Sequence, residues 1–182
     1  MERFRLPNAA VLARLFTDML DCPVTVKRMG EAALRGKRLG VGSAERKAQD
    51  STPSSGTPAS AFPNTWGAAY VVPDGRLAAL CIFDLAAAAG LGGALSMMPP
   101  ESTELSLRNA ELDELLEENF REVCNMLTPL FARPGIAISL KDVRPLPAAS
   151  PWIHGSPPSG QRLDLEVTVE GYGQGSLGLW AA

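Results

Sequence analysis

The sequence is poor in the residues that build metal centres and disulfide frameworks. It has 3 cysteines and 1 histidine among 182 residues, and Cys22, Cys81 and Cys124 lie far apart without a CxxC pair. A zinc site takes about four such ligands, so we expect this chain to bind no metal and no other cofactor. An odd cysteine count without an apolar N-terminal targeting segment favours a reducing, cytoplasmic compartment.

Aromatic residues and positive charge are also scarce. Aromatics make up 6% of the chain and apolar residues 46%, so the core must consist mostly of Ala, Leu and Val. The formal net charge of −3 lacks the positive field that non-specific nucleic-acid binding needs. One basic stretch, 35–47, is interrupted by Glu45 and followed by Asp50, and we interpret it as a solvated loop. We expect no nucleic-acid partner.

One apolar run, residues 77–98, resembles a membrane span at first sight. A span needs about 20 strongly apolar residues, whereas Asp84 divides this run and its second half is mainly Ala and Gly. The pattern predicts a buried strand that ends at Asp84 and a helix capped by the same side chain. We therefore expect no membrane partner.

Two stretches lack regular periodicity. Residues 40–66 are rich in Gly, Pro and Ser, and we predict a flexible insertion loop because ordered loops rarely exceed about 15 residues. Residues 144–161 are predicted to be a Pro-rich irregular connection. Without them about 140 residues remain, enough for one core, so we predict a single domain over 1–182.

The rest of the sequence alternates between helical and strand patterns. It predicts, in order, a helix over 8–21 with Asn8 as N-cap, a strand over 22–29, a hairpin around Pro73-Asp74-Gly75, a helix over 85–98, a long helix over 109–132, a strand over 136–143 and a hairpin around 172–175. These elements predict an α+β fold, in which two long helices pack on an antiparallel-rich sheet of about six strands.

The predicted helix over 109–132 has an apolar and an acidic side. At 100° per residue the apolar stripe contains Leu112, Leu116, Phe120, Val123, Leu127 and Leu130, and the opposite side contains Glu111, Glu114, Glu118, Glu122 and Asn125. Glu122 and Asn125, three residues apart, should point into solvent together. Taken alone, this spacing is also typical of an ordinary solvated helix face.

Pro129 follows Asn125 by four residues. It has no N–H to donate to the Asn125 carbonyl, so the helix should kink or end there. Thr128 could serve as N-cap of a short continuation that starts at Pro129. The simpler reading, a plain helix terminator, is the one we favour.

Together these residues resemble the CheC/CheX/FliY chemotaxis phosphatases. The likeness rests on Glu122-Val123-Cys124-Asn125-Met126 in a long helix after a short Ala/Gly helix, on Pro145 and Pro147, and on the order of the surrounding strands. It covers roughly 67–182 together with the first helix and strand. The first helix has no ExxN pair, which is similar to the one-site CheX type.

The resemblance implies hydrolysis of the aspartyl phosphate on a phosphorylated CheY-like response-regulator receiver. Asn125 would orient the attacking water and Glu122 would dock on the receiver's active-site lysine, with Glu118 and Arg121 as neighbouring binding residues. The Mg²⁺ of the reaction would belong to the receiver. The resemblance also implies a CheC/CheX-like fold and a possible homodimer through sheet edges.

Two other functions remain open. Pro129 stands where members of this family often have Gly, and the flagellar switch proteins FliM and FliN show that related domains act as binding modules. The chain could therefore be an inactive receiver-binding or flagellar-switch-like scaffold of the same fold. It could also be an α+β domain that binds something unrelated.

Overall fold

The computed structural model describes residues 6–30, 64–146 and 161–181. Within them are four α-helices, namely α1 (Ala9–Leu20), α2 (Leu85–Leu95), α3 (Pro100–Asn109) and α4 (Glu114–Met126), and a 3₁₀ turn (Thr128–Phe131). The six strands are β1 (Val24–Arg28), β2 (Thr65–Val71), β3 (Leu77–Phe83), β4 (Ser139–Leu146), β5 (Gln161–Val169) and β6 (Gly173–Ala181).

The six strands form one sheet in the order β1-β5-β6-β3-β2-β4. Every neighbouring pair is antiparallel, which confirms the predicted α+β class. The two predicted hairpins are β2–β3 and β5–β6, and they lie side by side in the middle of the sheet. Because β1 and β4 are the edges, a sheet-edge homodimer would have to form there, and it stays a prediction.

The main core lies between the helices and one face of the sheet. Side chains alternate across a strand, so Ala79, Cys81 and Phe83 of β3 face the helices, whereas Leu80 and Ile82 face away. On the opposite face a smaller apolar cluster consists of Ala69, Leu80, Ile82, Leu146 and Trp180, with Leu77 packed against it. Because this second cluster covers the side chains that point away from the helices, nearly the whole of β2 and β3 is buried.

Polar side chains fix the starts of three helices. The Asn8 side chain accepts a hydrogen bond from the Val11 N–H at 2.8 Å, and that of Asp84 accepts one from the Ala87 N–H at 2.9 Å. Both predicted N-caps are therefore confirmed. Asp113 caps α4 in the same way, with its side chain 2.8 Å from the Leu116 nitrogen.

The prediction of one long helix over 109–132 was wrong. Ala110 adopts a left-handed conformation with φ of 60° and ends α3, and Asp113 then starts α4 as a separate helix. Periodicity alone did not detect this break because the apolar stripe continues through Leu112, which is buried although it precedes the helix. The helix before it, α3, was not predicted, although Pro100 supplies a proline at its first turn.

Strands extend into both stretches that the sequence predicted to be irregular. Residues 65 and 66 already belong to β2, residues 144–146 to β4, and residue 161 to β5. Residue 64 is a turn residue before β2, and residues 40–63 and 147–160 lie outside the described residues. Among the helices that are described, none is long and apolar enough to cross a membrane.

Candidate functional site

Helix α4 is held on the sheet by its apolar side. Leu116, Phe120, Val123 and Cys124 are buried. The Phe120 ring meets two other aromatic rings edge-to-face: its centroid lies 4.9 Å from that of Phe83 and 5.9 Å from that of Trp66. Such pairs prefer this T-shaped geometry. The predicted apolar stripe is thus confirmed as the face that fixes the rotation of α4.

The backbones of helices α2 and α4 approach each other closely. Gly92 makes this possible, because a Cβ built there would lie only 2.8 Å from the carbonyl oxygen of Leu116 and 3.2 Å from the backbone nitrogen of Phe120. Beyond the end of α2, the Ser96 hydroxyl lies 2.9 Å from the side-chain oxygen of Asn119. Both contacts fix the distance of α4 from the neighbouring helix.

The opposite side of α4 presents Glu122 and Asn125 to solvent. Both residues are exposed, and the Asn125 side-chain nitrogen lies 3.5 Å from a carboxylate oxygen of Glu122. That distance is at the outer limit of a hydrogen bond. A carboxylate and a carboxamide thus stand side by side, with most of their hydrogen-bonding capacity available to a partner.

The other two candidate residues divide between this face and its edge. Glu118 is exposed and, one turn before Glu122, lies only about 40° from it around the helix axis. Arg121 lies about 100° away, and its guanidinium forms an ion pair with Glu117 at 3.1 Å. The structure therefore groups Glu118 with Glu122 and Asn125, and places Arg121 beside them.

Two apolar side chains on the same face escaped the sequence analysis. Leu115 is 52% exposed and Met126 is 36% exposed. Both project within about 40° of Glu122 around the helix axis. Methionine is enriched in the buried centre of protein interfaces, so a partner that covers this face would also bury these two side chains. The sequence pattern that could have identified them is an apolar residue near each end of the acidic face of α4.

The helix ends at Met126, one residue after Asn125. The Leu127 N–H is shared between the carbonyls of Val123 and Cys124, each at 3.2 Å, and the 3₁₀ turn begins at Thr128. The prediction that Pro129 terminates the helix is confirmed. The suggestion that Thr128 acts as an N-cap was wrong, because its hydroxyl makes no capping bond and is buried without a partner.

The described cysteines and acidic groups offer little metal or nucleophile chemistry. In the part of the chain that the structure describes, no three His, Cys, Asp or Glu side chains are grouped to hold a metal ion. Cys124 precedes Asn125, yet it is buried, and burial raises the pKa of its thiol well above the usual range. Cys81 is buried as well. The polar groups that the last two turns of α4 expose include those of Glu122 and Asn125.

The sequence matches no protein-family model and no curated protein. The backbone is similar to a chain in the crystal structure of the FliM–SpeE complex from H. pylori. The TM-score is 0.53 and the identity 8%, over 95% of this chain and 80% of that one. The fold is FliM-like.

Two other solved structures are similar at lower scores. Thermotoga maritima FliY gives a TM-score of 0.49 at 12% identity, over 93% of this chain and 81% of that one. A CheC-like chemotactic protein from Shewanella oneidensis MR-1 gives 0.45 at 12% identity, over 95% of both chains. Similarities at this level identify neither a family nor a function, and the one-site CheX type stays a prediction.

Proposed function

We propose that this protein is a CheX-like phosphatase that hydrolyses the aspartyl phosphate of a phosphorylated CheY-like receiver. The observation that supports it is the exposed Glu122–Asn125 pair at the end of α4, with the two side chains 3.5 Å apart. Glu122 docks on the receiver's active-site lysine and Asn125 enters the receiver's pocket. Glu118 and Arg121 contact the receiver around them.

The chemistry needs little from this chain beyond placement of one water. Phosphoryl transfer is promoted mainly by positioning and by charge neutralisation, and the Mg²⁺ that neutralises the phosphoryl oxygens belongs to the receiver. A carboxamide both donates and accepts hydrogen bonds and has no charge. Asn125 can therefore hold the water in line with the phosphorus without repelling the phosphoryl oxygens, whereas a carboxylate there would repel them.

The test is phosphate release from phosphorylated receivers of the same genome. Wild-type protein should accelerate release from one of them, and Asn125→Ala should reduce the acceleration by about 100-fold, since misplacement of a reacting group costs rates of this order. Asn109→Ala is the matched control, because Asn109 is an exposed residue at the end of another helix. Equal rates for wild type and Asn125→Ala would refute the assignment.

A second candidate is a receiver-binding or flagellar-switch-like scaffold without turnover. It is favoured by the likeness to a chain of the FliM–SpeE complex and by the apolar side chains of Leu115 and Met126, which suit binding rather than chemistry. The same assay separates the two, if receiver binding is titrated in parallel. The scaffold would be established, and the phosphatase excluded, by two results together. Wild-type protein would bind the receiver without accelerating phosphate release, and Leu115→Ala would weaken that binding.

A further inference from the structure

The turn that carries Asn125 is the last turn of α4, where one N–H, that of Leu127, is shared between the carbonyls of Val123 and Cys124. The last four carbonyls of a helix lack the usual donor four residues ahead, and Asn125 lies in this region because α4 ends at Met126. Pro129, four residues after Asn125, has no N–H to give. Contacts from outside the helix can therefore hold the backbone of this turn.

Tyr70 of β2 supplies such a contact. Its hydroxyl donates a hydrogen bond to the carbonyl oxygen of Cys124 at 2.7 Å, across 54 residues of sequence. The side chain is completely buried, so water does not compete for this bond. The peptide group that joins Cys124 to Asn125 is thus fixed directly to the sheet.

The Tyr70 ring also contacts the segment that follows Asn125. Its centroid lies 4.7 Å from that of Phe131, with the ring planes tilted by 46°, and Phe131 is the last residue of the 3₁₀ turn. One side chain therefore contacts the chain on both sides of Asn125. The segment 124–131 cannot shift relative to the sheet without disturbing Tyr70.

The sheet is irregular at this residue. The pairing of β2 with β4 shifts between Ala69 and Tyr70, and the pairing with β3 shifts between Tyr70 and Val71. Such irregularities re-aim side chains and occur next to functional sites. Tyr70 stands at the point where β2 departs from regular pairing on both sides.

We propose that Tyr70 is a positioning residue, which holds the Asn125 turn in the orientation that the reaction requires. The catalytic part of this proposal rests on the phosphatase function proposed above. Tyr70 itself touches neither receiver nor water. Loss of its hydroxyl should leave receiver binding intact and slow the chemical step, because Glu122 and Glu118 lie earlier in α4, where the helix is regular.

The test is Tyr70→Phe, with Tyr172→Phe as matched control. Tyr172 also donates its hydroxyl to a backbone carbonyl at 2.7 Å, that of Met98, so both variants lose the same kind of bond. Two quantities are measured: kcat and KM with the phosphorylated receiver, and hydrogen exchange of the backbone amides in 124–131. The second needs no receiver and therefore does not depend on the proposed activity.

Tyr70→Phe should lower kcat about tenfold, because misplaced reacting groups cost rates of this order or more, with KM changed less than twofold. Amide exchange in 124–131 should quicken selectively. Tyr172→Phe should leave both quantities near wild type. Unchanged exchange in Tyr70→Phe, or unchanged kcat in an active protein, would overturn the proposal. An inactive wild-type protein would refute the phosphatase function. The hydrogen exchange of the amides in 124–131 would then still decide whether Tyr70 holds the turn that carries Asn125.

Discussion

Substitution of Gly92 by alanine tests whether the contact between α2 and α4 is as close as the structure describes. In an ordinary helix interior this change is favourable, since alanine exceeds glycine in helix propensity by about 0.8–1.0 kcal/mol. Here the new Cβ would stand 2.8 Å from the Leu116 carbonyl oxygen and 3.2 Å from the Phe120 nitrogen. Both are backbone atoms, so no side-chain rotation can relieve the clash and α4 itself must move.

Gly90, in the same helix, provides the reference for the magnitude. A Cβ there would lie 3.6 Å from its nearest neighbours, the Cβ and carbonyl oxygen of Tyr172, which is ordinary contact. Because both substitutions gain the same helix propensity, the difference between them isolates the overpacking cost of about 1–3 kcal/mol. We expect about 2 kcal/mol, because the obstructing atoms at Gly92 belong to the backbone.

The measurement is the free energy of unfolding of both variants by chemical denaturation. Gly90→Ala should be as stable as wild type or stabilised by up to about 1 kcal/mol, and Gly92→Ala should be destabilised by about 1 kcal/mol. In thermal unfolding the two midpoints should differ by roughly 4–8 °C for a chain of this size. Equal stability of the two variants would contradict the close packing of α2 on α4.

Two further predictions concern a buried hydroxyl and the thiols. Thr128→Val should be neutral or stabilise the protein by up to about 1 kcal/mol, because the buried hydroxyl has no partner; a loss of about 1 kcal/mol in denaturation would indicate a cap after all. In native protein a thiol-specific reagent should label Cys22, which is only partly buried, before Cys81 and Cys124, which are buried. Burial, assisted by Glu170 and Asp21, raises the pKa of the Cys22 thiol. Its labelling should therefore be slower than that of free cysteine at pH 8 and quicken as the pH rises. Early labelling of Cys81 or Cys124 would contradict their burial.

The sequence predicted the local features that depend on near neighbours along the chain. Asn8 and Asp84 start helices because each has a short polar side chain directly before an apolar periodic segment. Pro73-Asp74-Gly75 connects β2 to β3 because each residue suits a turn by its own backbone preference. The outward direction of Glu122 and Asn125 also followed from helical spacing alone.

The break between α3 and α4 and the contacts around Asn125 could not be predicted in this way. Ala110 adopts a left-handed conformation that its own type disfavours. The N–H groups of Ala110 and Glu111 close the end of α3 on the carbonyls of Leu107 and Ser106, a cap that glycine usually supplies and that alanine does not signal in the sequence. The reach of Tyr70 to Cys124 joins residues far apart in sequence. Periodicity identifies the face on which a residue lies and cannot identify its partner.

The sequence by itself determined the apolar stripe of α4, its acidic face, and that the helix ends near Pro129. It did so because amphipathic spacing and the missing proline N–H are local properties. The tertiary structure decided how the end of that helix is held, through the Tyr70 hydroxyl and the Phe131 ring, and how closely its first half approaches α2 at Gly92. These contacts depend on the order of strands in the sheet, which brings together segments that no local pattern relates.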